Sequence, residues 1–221
     1  CIRDSYDSNF DNPEVLVQGI PSGNHQTNAV NLLPNGTLIW HSGSTCNHCN
    51  EDDSRNAALL WVNATTGEHG ILATGVRNSF DGVWVDEIGY LFTDNGQDAE
   101  GNDFPNEEVN LLVDGADYGW LVESKSDPNP DGTEAPVATW TPHTSVNGMT
   151  TRPANMPGDN YTVYATVYGS WATILPAGHQ ILKIDFTQTD DGWVGDVEIF
   201  ASEVGTPLPI TGGPDGNLYY A

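Results

Sequence analysis

Positive charge is what this chain has least of. Six Lys and Arg stand against 31 Asp and Glu, a formal net charge of −25 over 221 residues, and the lysines are Lys125 and Lys183 alone. Such a surface repels polyanions, which excludes nucleic acid and anionic membranes as partners. The acidic residues are scattered through candidate loops, not gathered in a tail. That distribution resembles a salt-adapted proteome, and adaptation to an acidic or calcium-rich medium would give the same balance. Long apolar runs are missing too, so no segment reads as a membrane-spanning helix. No signal peptide is visible. No amphipathic stripe of 3.6-residue period reaches useful length, which leaves strands and turns as the building material. Cysteine is scarce, with Cys1, Cys46 and Cys49 only. The C-N-H-C pair has no second C-x-x-C to complete a zinc site, and no histidine follows Cys49 to make a haem attachment. It predicts a disulfide across a tight loop. Cys1 is left over, its partner expected outside this chain.

What is present argues for a folded β protein. Hydrophobic residues make up 38% and aromatics 10%, with seven Trp, which is a core-forming rather than a disordered composition. The length suffices for one substantial core. Cys1-Ile2-Arg3 leads straight into a strand-like segment, and the chain stops inside another at Leu218-Tyr219-Tyr220-Ala221. The expectation is a single partial domain over residues 1–221, truncated at both ends. Asn-X-Thr sequons at Asn35, Asn63 and Asn160 fit a secreted glycoprotein, extracellular, periplasmic or on the cell surface.

Three segments repeat one plan: strand, Asp/Gly/Thr turn, strand ending at a glycine, loop, then a closing strand after a glycine-bearing turn. The strand-ending glycines are Gly19, Gly75 and Gly205, and those of the later turns are Gly36, Gly89 and Gly216. Units of about 40 residues with several short strands have the period of β-propeller blades. Tyr161 to Trp171 reads as part of another blade with diverged flanks. A β-sandwich is the alternative all-β reading. In a propeller, the loop after the glycine-terminated strand leads into the strand nearest the axis, so these loops converge at one mouth of the channel. They carry His25, then Arg77 with Asn78, then Thr206 with Pro207. A base, a cation and an amide brought together by repetition form a candidate site.

The stretch from Ala73 to Trp120 holds most of that chemistry. Its loop from Asp94 to Glu108, dense in Asp, Asn, Glu and Gly, is either a solvated acidic face or a site for a hard cation such as Ca²⁺. EF-hand spacing is absent. His25 alone could be a packing residue and Arg77 a salt-bridge partner; their equivalence in the repeat is what singles them out. His41, His48, His69 and His179 read as ordinary strand or loop residues.

The segments HQTNAVNLLPNGTLIWHSGSTCNHCNEDDSRNAALLWVN, ATGVRNSFDG, LFTDNG, EEVNLL and GADYGW come in that order. With PHTSVNGM, YGSW and GTPLPITGGPDGNLYYA later, they resemble the glucose/sorbosone dehydrogenase family, which includes soluble PQQ-dependent sugar dehydrogenases. The likeness runs from about His25 to the end. It implies a six-bladed propeller, about four blades of it in this chain, with the cofactor over the channel. His25 matches the general base for the substrate hydroxyl. Arg77 and Asn78 match the quinone contacts, and the carbonyls of Gly96 and Gln97 match the holders of the calcium that polarises it. Glu108 and Tyr118 match positions of a further, structural calcium site in some members. Two departures each remove positive charge: Gly205-Thr206-Pro207 stands where many members have Gly-Arg-Pro. Tyr168-Gly169-Ser170-Trp171-Ala172-Thr173 stands where many have H-G-S-W-N-R.

The reading is therefore a PQQ- and calcium-dependent dehydrogenase that oxidises a sugar or aldose and passes electrons to an external acceptor. Two other classes stay open. One is a secreted propeller without cofactor, serving as a binding or structural module. The other is a lactonase-type calcium propeller, which needs carboxylate and amide ligands in the channel, where the mapped loops offer Asn78.

Overall fold

The computed structural model describes residues 2–5, 14–25, 28–170 and 177–221. Their regular structure is entirely β. A ribbon of β1 (Ile2–Ser5) and β2 (Glu14–Val17) precedes a four-stranded sheet of β3 (Val30–Leu32), β4 (Thr37–Ser42), β5 (Ala58–Asn63) and β6 (His69–Thr74). The second sheet holds β7 (Gly82–Val85), β8 (Gly89–Asp94), β9 (Glu107–Leu111) and β10 (Ala138–Trp140). The third holds β11 (Val146–Thr151), β12 (Thr162–Val167), β13 (Gln180–Thr189) and β14 (Gly192–Ser202), and a ribbon of β15 (Ile210–Gly212) and β16 (Leu218–Tyr220) closes the series. Every pairing between these strands is antiparallel and sequential, the up-and-down meander of propeller blades.

The blades stack face to face, and strand alternation explains how. On β5, Ala58, Leu60 and Val62 face β2 through Val17, while Leu59 turns to the opposite cluster with Tyr90 and Phe92. On β8, Leu91 faces the other way, into the core shared with Val146, Val163 and Leu182. Both faces of each sheet are thus covered, so these strands read as nearly continuous apolar runs rather than alternating ones. Each fully buried Leu or Phe contributes roughly 1.5–3 kcal/mol of transfer free energy.

The repeating unit in the sequence is a blade displaced by half. Each unit joins the outer two strands of one sheet to the inner two of the next, as β5–β6 with β7–β8 and β13–β14 with β15–β16. The glycines ending the outer strands share a left-handed conformation, φ 77° at Gly19, 68° at Gly75 and 78° at Gly205. A further unit, β9–β10 with β11–β12, escapes the pattern for two reasons. Residues 112–137 intervene between its outer strands, and its turn into β11 uses His143 and Ser145 at positive φ (57° and 58°) where a glycine would be expected. The first strands of successive sheets, β7, β11 and β15, lie beside one another and line the axis.

Candidate active site

The loops entering these inner strands meet at one end of the axis, around a cavity of about 550 Å³. Its lining includes His25, Arg77, Asn78 and Gly96, together with Glu107 and His143. The expected convergence of loops is thus observed, with one substitution: the loop into the closing β15–β16 ribbon contributes Leu208, while Thr206 is exposed and outside the lining. Tyr168 and Gly169 reach the cavity; Trp171, Ala172 and Thr173 lie outside the described residues.

His25 is held by a short three-stranded zip. Its N–H donates to the Ser44 carbonyl at 3.1 Å, and the Ser44 N–H donates to the Arg77 carbonyl at 2.8 Å. Gly43 makes this possible, since a Cβ there would lie 1.9 Å from the His25 carbonyl oxygen. The His25 Nδ1 is 2.8 Å from Ser44 Oγ, and that hydroxyl donates to the Cys46 carbonyl at 2.7 Å. With the hydroxyl proton committed to Cys46, Nδ1 carries the donating hydrogen and Nε2 keeps its lone pair. Burial, and then the neighbouring Arg77 charge, lower the His25 pKa to about 4, so the ring is neutral near pH 7.

Arg77 is buried, 4% exposed. Its Nε donates to the Asn47 carbonyl at 3.0 Å, Nη1 to the Asn95 carbonyl at 3.0 Å, and Nη2 to Asn47 Oδ1 at 2.8 Å and Asp98 Oδ2 at 3.3 Å. A guanidinium has five N–H donors, and one Nη1 hydrogen has no acceptor among the described residues. The backbone beneath is fixed by Asp94, whose carboxylate accepts the N–H groups of Arg77 and Asn78 at 3.0 and 2.6 Å. Asn78 Oδ1 accepts from Asn28 at 3.3 Å.

Gly96 packs on the ring of Pro105, which a Cβ would approach to 2.1 Å. Gly96 and Glu107 share the cavity lining, and Asn95 Oδ1, Gln97 Oε1 and Glu107 Oε2 are buried with no hydrogen-bond partner among the described residues. Unpartnered buried oxygens are costly in a folded protein, and a hard divalent cation satisfies several at once. Oxygen acceptors of this kind suit calcium. The site fits an anionic quinone only with that cation present, because Asp98 and Glu107 otherwise offset Arg77. Glu107 is 3% exposed, and burial raises its pKa to about 7. Burial likewise raises Asp94 to about 7 and Glu108 to about 8, the latter helped by the Asp94 charge.

Glu108 and Tyr118 sit apart from the mouth. The Glu108 carboxylate accepts from Asn110 at 3.1 Å and borders a smaller cavity of about 310 Å³ with Glu123. The Tyr118 hydroxyl donates to the Leu111 carbonyl at 2.6 Å and accepts from the Val113 N–H at 3.0 Å. Its phenol oxygen is thus committed to protein.

Cys46 and Cys49 form the expected disulfide. His41 is fully buried, its ring nitrogens 2.6 Å from Ser79 Oγ and 2.6 Å from Tyr90 Oη, a tie between two blades. Sequence reasoning passed over Glu107, His143 and Asn47. Glu107 was masked by the neighbouring Glu108, and His143 by a turn that lacks the marker glycine. Asn47 was masked by the two cysteines that frame it.

No protein-family model matches the chain. An uncharacterized protein of Borreliella burgdorferi is 26% identical over 232 residues, and the match takes in 91% of this chain and 59% of that protein. Among solved structures, a glucose dehydrogenase superposes with a TM-score of 0.74 at 18% identity, over 97% of this chain and 67% of its own. The PQQ domain of a pyranose dehydrogenase from Coprinopsis cinerea gives 0.73 at 17%, over 98% and 73%. The PQQ-bound aldose sugar dehydrogenase of Streptomyces coelicolor gives 0.70 at 19%, over 94% and 59%. The meander of blades with a cavity over their inner strands is thus the β-propeller fold of the PQQ-binding sugar dehydrogenases that the sequence motifs resemble.

Proposed function

We propose that the channel-mouth site oxidises a hydroxyl-bearing carbon of a sugar or aldose, with His25 as the base. The observation that carries this is the Cys46–Ser44–His25 relay, which leaves Nε2 unprotonated at the cavity. A general base so placed removes the hydroxyl proton as the adjacent carbon is oxidised. A bound pyrroloquinoline quinone supplies the two-electron acceptor for such a reaction, and bound calcium a Lewis acid. Gly96, Gln97 and Glu107 would hold the cation, and Arg77 and Asn78 the quinone. An external acceptor would then reoxidise the site. Glu108 and Tyr118 match positions of a further structural calcium, which Glu108 with Glu123 at the smaller cavity would hold. Asn35 and Asn160 are exposed at turns and Asn63 is exposed at the end of β5, in keeping with a glycosylated, exported protein.

Titrating the intact protein with the quinone and calcium, while following the quinone absorbance, tests this. His25→Gln should keep both ligands but lower sugar-dependent turnover by about a hundredfold or more. Absence of quinone binding at millimolar calcium would sink the catalytic reading. The engagement of Arg77 by protein acceptors favours a second reading, a cation- and sugar-binding propeller without cofactor. Calcium would then still raise the melting temperature.

A further inference from the structure

We infer that the Cys46–Cys49 loop is a clamp that positions both polar ends of the site, with Asn47 as the positioning residue for Arg77 and Ser44 as the link to His25. This rests on the roles just proposed for those two side chains. Three observations carry it. Residues 46–49 belong to no strand, so no ladder of backbone hydrogen bonds fixes them. The disulfide closes the loop instead. Yet every side-chain hydrogen bond of Asn47 is directed at the site. Its carbonyl and Oδ1 take two of the Arg77 hydrogens. The same Oδ1 accepts the Asp98 N–H at 2.9 Å, and Nδ2 donates to the Asp98 carbonyl at 3.1 Å. One side chain thus aligns Arg77 and its counter-ion.

The residue before it does the same for the base, since the Cys46 carbonyl takes the Ser44 proton and so decides which His25 nitrogen is protonated. On the outer side, Trp120 Nε1 donates to the Asn47 carbonyl at 3.3 Å and the His48 ring stands edge-on to Trp120. Those are the only other groups described against the loop's inner residues, and they do not replace the covalent closure. Reduction by an external dithiol breaks the S–S bond. Two electrons and two protons pass to Cys46 and Cys49, and the reagent becomes its own disulfide. The clamp then opens, and the preorganisation of Arg77 and His25 is lost together.

Ligand-free intact protein labelled with ¹⁵N provides the test. In the oxidised protein, His25 should show the Nδ1-protonated tautomer and Arg77 a slowly exchanging Nε–H. After dithiol treatment, with the free thiols of Cys46 and Cys49 confirmed by alkylation and peptide mapping, Nε–H exchange should quicken by about tenfold or more, the scale of one charge-assisted hydrogen bond. The His25 ring should then populate both tautomers, and reoxidation should restore both signals. Asn47→Ala keeps the carbonyl under Nε but removes the Oδ1 acceptor of Nη2, so it should quicken exchange of the Arg77 Nη2 hydrogens and leave His25 unchanged, whereas Asn47→Asp, which keeps that acceptor, should restore their slow exchange. Unchanged Arg77 and His25 signals in the reduced protein overturn the inference. So does an equal quickening of the buried β5 amides, which would mark general loosening. If either Asn47 variant fails to fold, the reduction experiment decides alone. No sugar or quinone is present, so a confirmed clamp in a protein that never binds quinone would sink the proposed function only. A failed clamp in an active enzyme would sink the clamp only.

Discussion

Replacing Glu107 with Gln should stabilise the metal-free protein and weaken its response to calcium. Glu107 is 3% exposed; its Oε1 accepts the Ser145 N–H at 2.9 Å, the Thr144 and Gly96 N–H groups also favour its charge, and Oε2 has no close hydrogen-bond partner among the described residues. Burial raises its pKa from 4.5 to about 7. The unfolded chain therefore releases the proton first as pH rises, and the folded protein loses stability between pH 4.5 and 7. Above pH 7 the charge is carried by both states and the penalty is complete. At about 1.4 kcal/mol per tenfold in proton affinity, that penalty is about 3 kcal/mol. Gln keeps Oε1 and the volume but not the charge. At pH 8 without metal, Glu107→Gln should raise the melting temperature by roughly 6–12 °C, given about 2–4 °C per kcal/mol at this chain length. At pH 4 the gain should vanish. Calcium at about 1,000 times its Kd should reverse the order: it adds about 4.1 kcal/mol to the wild type, and the variant should gain much less. Thermal melts of both proteins at pH 4 and 8, with calcium or chelator, read all four values. A variant less stable than wild type at pH 8 in chelator would refute the argument that Glu107 is held charged against its surroundings.

Salt should raise the melting temperature steadily, because a net charge of −25 repels itself and the Debye length shrinks from about 30 Å at 0.01 M to about 3 Å at 1 M; a flat NaCl series would remove the salt-adaptation reading. Leu91→Ala, fully buried between two blades, should cost 2–5 kcal/mol in denaturant melts. A cost under 1 kcal/mol would mean the blades are not packed there. His41 should remain neutral to well below pH 5, since burial lowers its pKa to about 3. As pH falls below 6.5 the unfolded chain takes that proton first, so the contribution of His41 to stability is full above pH 6.5 and lost towards pH 3. Ring shifts that titrate near 6.5 would contradict its burial.

How much of this was legible depended on where the chain repeats itself. The β class, the blade period and the gathering of His25 with Arg77 could be read because Gly19, Gly75 and Gly205 mark equivalent positions at positive φ. The repeat does not say where a blade begins, and the sequence unit turned out to straddle two sheets. Thr206 was assigned to the mouth by that same equivalence, but its loop delivers Leu208 instead. The fourth mouth loop was hidden because His143 and Ser145 adopt the left-handed conformation that glycine normally signals. Charge was visible and its burial was not. Nothing in the letters of Asn106-Glu107-Glu108 says that Glu107 faces the cavity at the mouth while Glu108 faces a second cavity.

That division bears on what the site needs. Asp94, Glu107 and Glu108 all lie near Arg77 or one another, and burial raises the pKa of each to about 7 or 8. One guanidinium, already shared with Asp98 and two carbonyls, cannot neutralise them. Left alone, the cluster must either take up protons near neutral pH or bear a standing electrostatic cost. A cation beside Gly96 removes that cost and gives the unpartnered Gln97 and Glu107 oxygens something to bind. It also turns a mouth that repels anions into one that can hold them. On this argument cation binding precedes anion binding at the site. The order is checked by measuring quinone affinity across a calcium series: affinity should rise with calcium, and calcium-independent quinone binding would show that Arg77 suffices by itself.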